Sequence, residues 1–223
     1  MKVVITGSTG MVGKGVLLVC LEDPRISEIL LINRSSLNMN HPKLKELLLP
    51  DFGKIDQYQS KLTNYDACFF CMGISSVGIS EEDYNAITYD LTTNFANIFI
   101  AANPNSTFIY VSGTGTDSSE KGKIMWARVK GKTENAILAM PFKAAYMFRP
   151  GFIQPMRDIS SKFKLYRAFY AISTPLYPLL KSIFPKAITN TDQMGWAMIN
   201  LAANGSDKKW FYNKDINEAA DNL

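Results

Sequence analysis

Short, mostly apolar runs alternate along the chain with longer segments in which apolar residues recur at helical spacing. Runs such as residues 29–32 and 108–111 are continuously apolar, which is typical of strands covered on both faces. The pattern predicts strands over residues 2–6, 28–33, 46–49, 67–72, 107–112 and 144–149. It predicts helices over residues 11–21, 81–102, 125–139 and 192–203. This alternating order indicates an α/β fold with a doubly wound parallel sheet, whose ligand crevice lies at the carboxyl ends of the strands.

The first predicted strand-to-helix connection contains three glycines spaced three residues apart. Gly7 would permit the turn, Gly10 the approach of a phosphate, and Gly13 the packing of the helix on the strand. Unpaired backbone N–H groups and the positive end of the helix dipole favour an anion at such a turn. An ordinary glycine-containing turn is the alternative interpretation. The residues predicted to hold a pyrophosphate are Gly7, Ser8, Thr9, Gly10, Met11, Val12 and Gly13.

Polar residues after the second predicted strand indicate which dinucleotide would bind. The segment Asn33-Arg34-Ser35 offers no carboxylate to accept hydrogen bonds from a ribose 2′-OH. The guanidinium of Arg34 instead suits a 2′-phosphate, and Asn33 and Ser35 can add hydrogen bonds. The segment therefore favours NADP(H), with NAD(H) still possible and a solvated loop arginine as the alternative.

Two further segments follow the third and fourth predicted strands. Asp51, beside Phe52, is a candidate acceptor for the adenine amino group. The turn Cys71-Met72-Gly73 consists of small or flexible residues along which a dinucleotide could pass, and Gly73 would allow close approach to the backbone. Cys68 and Cys71 also have the spacing of half a zinc or redox site. However, residues three apart on a strand point to opposite faces, so we expect core packing.

Composition and charge exclude several classes of function. The 223 residues are 47% hydrophobic and 20% charged, so the chain is long enough to bury one full core. A net charge of +4 is too small to indicate nucleic-acid binding. One histidine, His41, cannot build a multi-histidine metal site, and we expect it in an exposed loop and expect no metal. Three cysteines, an odd number, argue against a disulfide framework and favour a reducing, cytoplasmic location.

No segment of the sequence resembles a membrane span or a secretory leader. No uninterrupted apolar run approaches the roughly 20 residues that a transmembrane helix needs. The first predicted strand begins at Lys2, with no charged-then-apolar segment before it. We therefore expect neither a signal peptide nor a transmembrane segment.

The composition changes after Pro150, which divides the chain into a dinucleotide-binding domain over residues 1–150 and a small lobe over 151–223 packed on it. Residues 163–185 are rich in aromatic and basic side chains and are interrupted by three prolines. Three interpretations stay open: an apolar lid over the substrate, a membrane-surface patch, or two short helices packed on the sheet edge.

Three segments together resemble the short-chain dehydrogenase/reductase superfamily. They are residues 111–115 (Val-Ser-Gly-Thr-Gly), residues 126–131 (Trp-Ala-Arg-Val-Lys-Gly) and residues 148–151 (Phe-Arg-Pro-Gly). The atypical branch that includes Tat-interacting-protein-like oxidoreductases is the most similar, over about residues 2–155. The resemblance implies a Rossmann fold, a C-terminal lobe that covers the substrate, and Pro150 and Gly151 beside the cofactor.

The superfamily's catalytic serine, tyrosine and lysine map onto Ser112, Trp126 and Lys130. In the superfamily the tyrosine exchanges a proton with the substrate carbonyl, the serine orients it, and the lysine holds the nicotinamide ribose. Trp126 stands where the tyrosine is expected. An indole N–H only donates a hydrogen bond and does not titrate usefully. Tyr84, Tyr89 and Tyr110 are candidate substitutes, but the sequence places none of them at the nicotinamide.

These observations leave three functions open. An NADP(H)-dependent oxidoreductase would act on an unknown small molecule that needs no phenolic acid, such as a quinone. A non-catalytic NADP(H) sensor would instead switch a contact with a protein partner. A nucleotide-sugar epimerase is the weaker alternative, because the C-terminal region is short and the tyrosine is absent. Basic residues surround Trp126, but a solvated helix face explains them better than nucleic acid.

Overall fold

The computed structural model describes residues 1–157, 159 and 187–221. Strands β1 to β9 span, in chain order, Lys2–Thr6, Glu28–Asn33, Leu44–Leu48, Ala67–Phe70, Thr107–Val111, Ala144–Phe148, Phe152–Gln154, Ile188–Asn190 and Trp210–Phe211. Helices α1 to α6 span Met11–Glu22, Glu81–Asn85, Leu91–Ala102, Met125–Ala139, Thr191–Asn204 and Asn213–Asp221. A kinked 3₁₀ segment covers Phe52–Leu62, and a π-helical turn, Ala86–Asp90, joins α2 to α3.

Seven of these strands form one parallel sheet in the order β3-β2-β1-β4-β5-β6-β9. In its centre Val3 pairs with Ile29 on one side and with Ala67 on the other. The strand order reverses between β1 and β4, which opens a crevice at the carboxyl ends of these strands. The predicted doubly wound α/β fold is therefore confirmed. Strands β7 and β8 pair with each other, in parallel, apart from this sheet.

Apolar side chains cover both faces of the sheet, as the continuous apolar runs predicted. On β1, Val3 and Ile5 join the core beneath α1, α5 and α6, whereas Val4 joins the core beneath α3 and α4. The second core is largely aromatic, with the Phe70 and Phe95 rings tilted against each other at 5.6 Å between centroids. This alternation holds the strand ends, and hence the crevice, on a rigid base.

The cysteines of the Cys-x-x-Cys spacing lie on opposite faces of the sheet, as expected. Cys68 is buried in the aromatic core, while Cys71 packs against the other core. All three cysteines, including Cys20, are free thiols. Burial raises the pKa of the Cys71 thiol to about 12, so it is protonated near neutral pH. Neither a zinc half-site nor a disulfide explains this spacing.

The structure differs from the predicted elements in several places. The helix predicted over 81–102 is interrupted by the π-helical turn. The Thr88 carbonyl in this turn accepts from the hydroxyl of Thr133 on α4 at 3.4 Å. Strand β3 begins at Leu44, two residues before the prediction. His41 lies in a loop as expected, but it is half-buried, and its Nδ1 accepts from the backbone N–H of Lys43. The 3₁₀ segment, β7, β8, β9 and α6 were not predicted.

The C-terminal elements that the structure describes pack on the main sheet. Strand β9 pairs with β6, and α5 lies against α1. The predicted division at residue 150 stays a prediction, and the aromatic and basic segment 163–185 lies outside the described residues. Over the described ranges no helix has the length and apolarity to cross a membrane. The same part of the chain contains no cluster of metal-ligating side chains.

Candidate functional site

The connection from β1 to α1 forms a tight glycine turn at the carboxyl edge of the sheet. Gly7 has φ +70°, and its carbonyl accepts from the N–H of Gly10 at 2.9 Å. Gly10 caps α1 without a side-chain hydrogen bond, and the first helical turn carries no acidic residue. The first N–H groups of α1 and its positive dipole end therefore point at the crevice, with no side-chain cap and no first-turn carboxylate from the helix itself to satisfy them.

Two of the three glycines are required by backbone packing. A Cβ on Gly7 would lie 2.7 Å from the backbone of Cys71, and a Cβ on Gly13 would lie 2.4 Å from the Gly7 carbonyl oxygen. At Gly10 the nearest described neighbour would be that same oxygen, at 3.2 Å. The roles predicted for Gly7 and Gly13, the turn and the helix-to-strand approach, thus have a geometric basis. The other side of Gly10 is open.

A buried hydrogen bond joins the glycine turn to the end of β2. The Ser8 hydroxyl donates to Asn33 Oδ1 at 2.9 Å, and both side chains are buried. The Nδ2 amide of Asn33 is buried and has no partner among the described residues. A buried donor without an acceptor costs free energy unless a ligand or water satisfies it. The amide therefore suits a ligand hydroxyl or phosphate oxygen beside the turn.

Arg34 and Ser35 follow directly and are exposed. In the part of the chain that the structure describes, Arg34 has no carboxylate within ion-pair distance and no side-chain hydrogen bond. Its guanidinium is thus available to a ligand, as the NADP(H) interpretation requires. A surface arginine without an acidic neighbour also keeps its full attraction for phosphate.

Asp51 and Phe52 open the 3₁₀ segment after β3. Asp51 Oδ1 accepts from the N–H of Gly53 at 3.0 Å, which makes this carboxylate a helix cap. Its Oδ2 lies 3.8 Å from Lys54 Nζ and is exposed, so it can still accept from a ligand. The ring of Phe52 packs edge-on against Phe70 in the aromatic core. The Phe52 ring therefore belongs to the core, and its predicted contact with a cofactor stays a prediction.

The turn after β4 approaches the glycine turn from the other side. The N–H of Met72 donates to Thr6 Oγ1 at 3.3 Å, which fixes the turn to the end of β1. Cys71 and Met72 are half-buried, and Gly73 is exposed. A Cβ on Gly73 would meet nothing within 4 Å. Packing within the described residues does not require glycine there, and the approach of a ligand to this turn stays a prediction.

Ser112, at the end of β5, takes part in a buried ionic network. Its Oγ donates to Glu134 Oε1 at 2.5 Å, and it also lies 3.1 Å from the Phe148 carbonyl oxygen. The Nε of Arg149 donates to both Glu134 oxygens, at 3.0 and 3.1 Å. The Ser112 hydroxyl therefore donates its hydrogen bond to Glu134 rather than to the crevice. The predicted role of Ser112 in orienting a substrate carbonyl stays a prediction.

The Glu134–Arg149 pair is the main feature that sequence reasoning missed. The sequence motifs predict no role for Glu134, and Arg149 enters them only within the segment 148–151. Glu134 is fully buried, and Arg149 also donates to Ser118 and to Tyr212. The sequence offers one signal for the pair. Glu134 is the single glutamate of α4, and its neighbours one turn away are Lys130 and Ile137. The pair fastens α4 to the ends of β5 and β6.

Lys130 lies one helical turn before Glu134 and reaches the same strand end. Its Nζ donates to the Ser112 carbonyl oxygen at 2.5 Å. Burial lowers the pKa of the Lys130 ammonium from its usual value of 10.5 to about 8, and the charge of Glu134 opposes part of this shift. The structure thus brings the predicted serine and lysine together, through the Ser112 main chain rather than its hydroxyl.

Replacing Lys130 by Met is expected to change how the free energy of unfolding depends on pH. The Lys130→Met variant should be less stable at alkaline pH, relative to the unsubstituted chain, than it is at neutral pH. Between about pH 8 and pH 10.5 the unfolded lysine holds a proton that the folded one has released. Lys130 therefore contributes a stability that increases with pH across this window. Buried thiols and phenols with raised pKa values act in the opposite direction, but both chains share them. The difference in unfolding free energy between the two chains, measured by urea unfolding at about pH 7 and about pH 10, isolates the Lys130 contribution. Parallel pH profiles for the two chains would contradict the lowered pKa.

Trp126 is half-buried at the start of α4, one turn before Lys130, and lies against Gly115 of the loop that follows β5. The tyrosines considered as substitutes are placed elsewhere. Tyr84 and Tyr110 are buried, and burial raises the pKa of both phenols. The Lys132 ammonium lies over the Tyr89 ring, with its Nζ 3.9 Å from the ring centroid. None of the three contacts Lys130 through a hydrogen bond in the described structure.

The segment after β6 closes the far end of the crevice. The Pro150 carbonyl accepts from the N–H of Thr114 at 2.8 Å. The N–H of Gly151 donates to Asn213 Oδ1 at 2.8 Å, which ties this segment to the start of α6. Asn213 was not identified from the sequence. Pro150 and Gly151 therefore lie beside the loop after β5, on the crevice side of the sheet.

Comparisons with known proteins agree with this architecture. No protein-family model matches the chain. It is 26% identical to the mitochondrial protein fmp52 of Emericella nidulans over 96% of this chain and 97% of that one. It is also 26% identical to protein HTATIP2 of Rattus norvegicus, over 67% of this chain and 62% of that one.

Among solved structures, a short-chain dehydrogenase/reductase superfamily protein from Agrobacterium tumefaciens, with bound NAD, superposes with a TM-score of 0.67. The two are 12% identical, and the match covers 95% of this chain and 77% of the other. The likeness establishes a Rossmann fold. The chain is thus a Rossmann-fold relative of the fmp52 and HTATIP2 proteins, in agreement with the expected atypical branch.

Proposed function

We propose that this relative of the fmp52 and HTATIP2 proteins binds NADP(H) at the carboxyl edge of its sheet and uses it to reduce a small carbonyl compound or quinone. Three neighbouring features carry the proposal. They are the first N–H groups of α1, which no side chain caps, the Asn33 Nδ2 amide and the Arg34 guanidinium. Each is a donor or a cation that lacks an acceptor within the described residues. A dinucleotide with a 2′-phosphate supplies acceptors for all three.

The residues fit the cofactor along the whole crevice. The turn from Gly7 to Gly13 would hold the pyrophosphate, and Asn33, Arg34 and Ser35 the adenosine ribose and its phosphate. The exposed Oδ2 of Asp51 would accept from the adenine amino group. The turn at Gly73 and the segment at Pro150 and Gly151 would flank the nicotinamide half, and Lys130 would hold its ribose. NAD bound in a fold neighbour supports the choice of a nicotinamide dinucleotide.

A bound NADPH supplies a hydride, and the chain must then supply orientation and a proton. Trp126 can donate one hydrogen bond from its indole N–H but no proton near neutral pH. The Ser112 hydroxyl is held by Glu134. A substrate whose reduced form needs no strong acid, as with many quinones, suits such a site better than a simple ketone does.

The same two observations favour a second candidate, an NADP(H) sensor without turnover. With no phenol at position 126 and the Ser112 hydroxyl engaged, the chain would bind the dinucleotide without reducing anything. Calorimetry with NADPH, followed by NADPH consumption over a panel of carbonyls and quinones, separates the two. Tight binding with turnover on any member supports the reductase, and tight binding alone supports the sensor. No binding of any nicotinamide dinucleotide by folded protein would overturn both.

The Arg34→Ala variant is expected to bind NADPH about ten- to a hundredfold more weakly, because charge-assisted hydrogen bonds contribute roughly 1.5–3 kcal/mol. Binding of NADH should change little, since it lacks the 2′-phosphate. Calorimetric titration with both dinucleotides measures the difference. Lys61→Ala, which removes an equal charge from the exposed 3₁₀ segment, is the control. Equal losses for NADPH and NADH would contradict the role of Arg34.

Two locations in the cell compete. The odd number of cysteines, all free thiols, favours a reducing compartment such as the cytoplasm. The name of the Emericella nidulans relative instead suggests mitochondria. Fractionation of cells that express the tagged chain decides between them.

A further inference from the structure

Exposed aliphatic side chains are concentrated on two loops at one end of the crevice. Ile74 and Val77 lie on the loop after β4, with 37% and 89% of their surface exposed. Ile124, 58% exposed, precedes α4 at the end of the loop after β5. Single exposed apolar residues are ordinary, but these three lie on loops that follow two adjacent strands.

The two loops are held together by one side chain. Arg128 donates to the Gly122 carbonyl oxygen and to Glu81 Oε2, each at 2.6 Å. Gly122 lies two residues before Ile124, and Glu81 lies four residues after Val77. Because β4 and β5 are adjacent parallel strands, their following loops lie at the same edge of the sheet. We call Ile74, Val77 and Ile124 the apolar rim.

The apolar rim borders the half of the crevice where the nicotinamide would lie. The adenosine half is assigned to Arg34 and Asp51, beyond β2 and β3, and the glycine turn holds the centre. The reacting half must therefore extend over β4 and β5. Trp126, two residues after Ile124, adds an aromatic surface to this end. If the nicotinamide lies there, a substrate would approach it beside the apolar rim.

We infer that the substrate is a carbonyl compound or quinone with a hydrocarbon body that packs on the apolar rim, rather than a nucleotide sugar. This inference rests on the proposed NADP(H) reductase. A nucleotide sugar would place hydroxyl and phosphate groups against Ile74, Val77 and Ile124, where they lose water without gaining hydrogen bonds. A hydrocarbon body buries the same surface favourably. In the reduction, NADPH would transfer a hydride and solvent a proton, so that a quinone leaves as its hydroquinone and NADP⁺ is released.

The test uses 1,4-naphthoquinones that carry alkyl chains of increasing length, titrated into the folded chain saturated with NADP⁺. Each methylene buried on the rim is expected to raise the affinity by about two- to fourfold. The Val77→Asn and Ile124→Asn variants should flatten this dependence. Leu48→Asn, an exposed aliphatic on β3, should leave it unchanged.

The outcomes separate this inference from the function on which it rests. If NADPH fails to bind, the proposed function falls. If NADPH binds but affinity for the quinones does not depend on chain length, or depends on it equally in Val77→Asn, the hydrocarbon-bodied substrate is wrong. Competition by a nucleotide sugar at the same site would also overturn it. So would binding of the rim only to phospholipid vesicles, with no affinity for the soluble quinones.

Discussion

The Trp126→Tyr variant is expected to reduce simple ketones with NADPH about 10²- to 10⁴-fold faster than the unsubstituted chain, because that is the usual contribution of a positioned general acid. A phenol one turn before Lys130 would lie near a buried ammonium, which lowers a phenol's pKa toward neutrality. The Lys130 ammonium is already held at the end of β5 by the Ser112 carbonyl. NADPH consumption with a ketone panel measures the gain.

Trp126→Phe is the matched control, since it frees the same space without supplying a proton. A gain in the tyrosine variant alone would identify the missing phenol as the cause of low activity. A similar gain in both variants would show instead that the size of the indole limits the reduction of ketones. No gain in Trp126→Tyr, with NADPH binding intact, would show that the engaged Ser112 hydroxyl or another feature limits the chemistry. The missing tyrosine would then not explain low activity.

The Glu134→Gln variant is expected to lose about 3–5 kcal/mol of unfolding free energy, the usual result of breaking a buried ion pair. Glu134 is fully buried, and its partner Arg149 is 8% exposed, so the guanidinium would lose its charge partner away from water. The Ser112 hydroxyl would also lose a carboxylate acceptor. Urea unfolding at about neutral pH measures the change.

Glu81→Gln provides the comparison. It makes the same chemical change in the Arg128–Glu81 pair, where the carboxylate is 53% exposed. Exposed pairs contribute about 0–1 kcal/mol, so this variant should be nearly as stable as the unsubstituted chain. Equal losses in the two variants would mean that the Glu134–Arg149 pair is not the structural element that its burial indicates.

The sequence predicted the sheet well because its signals are local and repeated. Continuous apolar runs marked the strands from β1 to β6, apart from the start of β3, and the glycine spacing marked the turn from β1 to α1. The short strand at Trp210 and Phe211 carries no such run. It becomes a strand only because β6 offers it an unpaired edge, which is a tertiary effect that periodicity does not encode.

The site was predicted to a lesser extent for a related reason. Residues that act through the backbone, such as Gly7 and Gly13, follow from the turn that they build. The engagement of Ser112 with Glu134 depends on a contact between residues 22 positions apart. The burial of the Phe52 ring depends on Phe70 and Phe95, which come from other elements. Motif spacing identifies positions, whereas side-chain contacts decide which atoms stay available.

The placement of β9 has a consequence for biosynthesis. Strand β6 is completed at Phe148, and among the described residues its outer edge pairs with Trp210 and Phe211. While the ribosome adds the residues between them, the nascent chain carries an open edge whose Tyr146 and Phe148 have not yet met the Phe211 ring. Open apolar edges promote association between chains. A chain released before residue 211 should therefore depend on chaperones to escape aggregation.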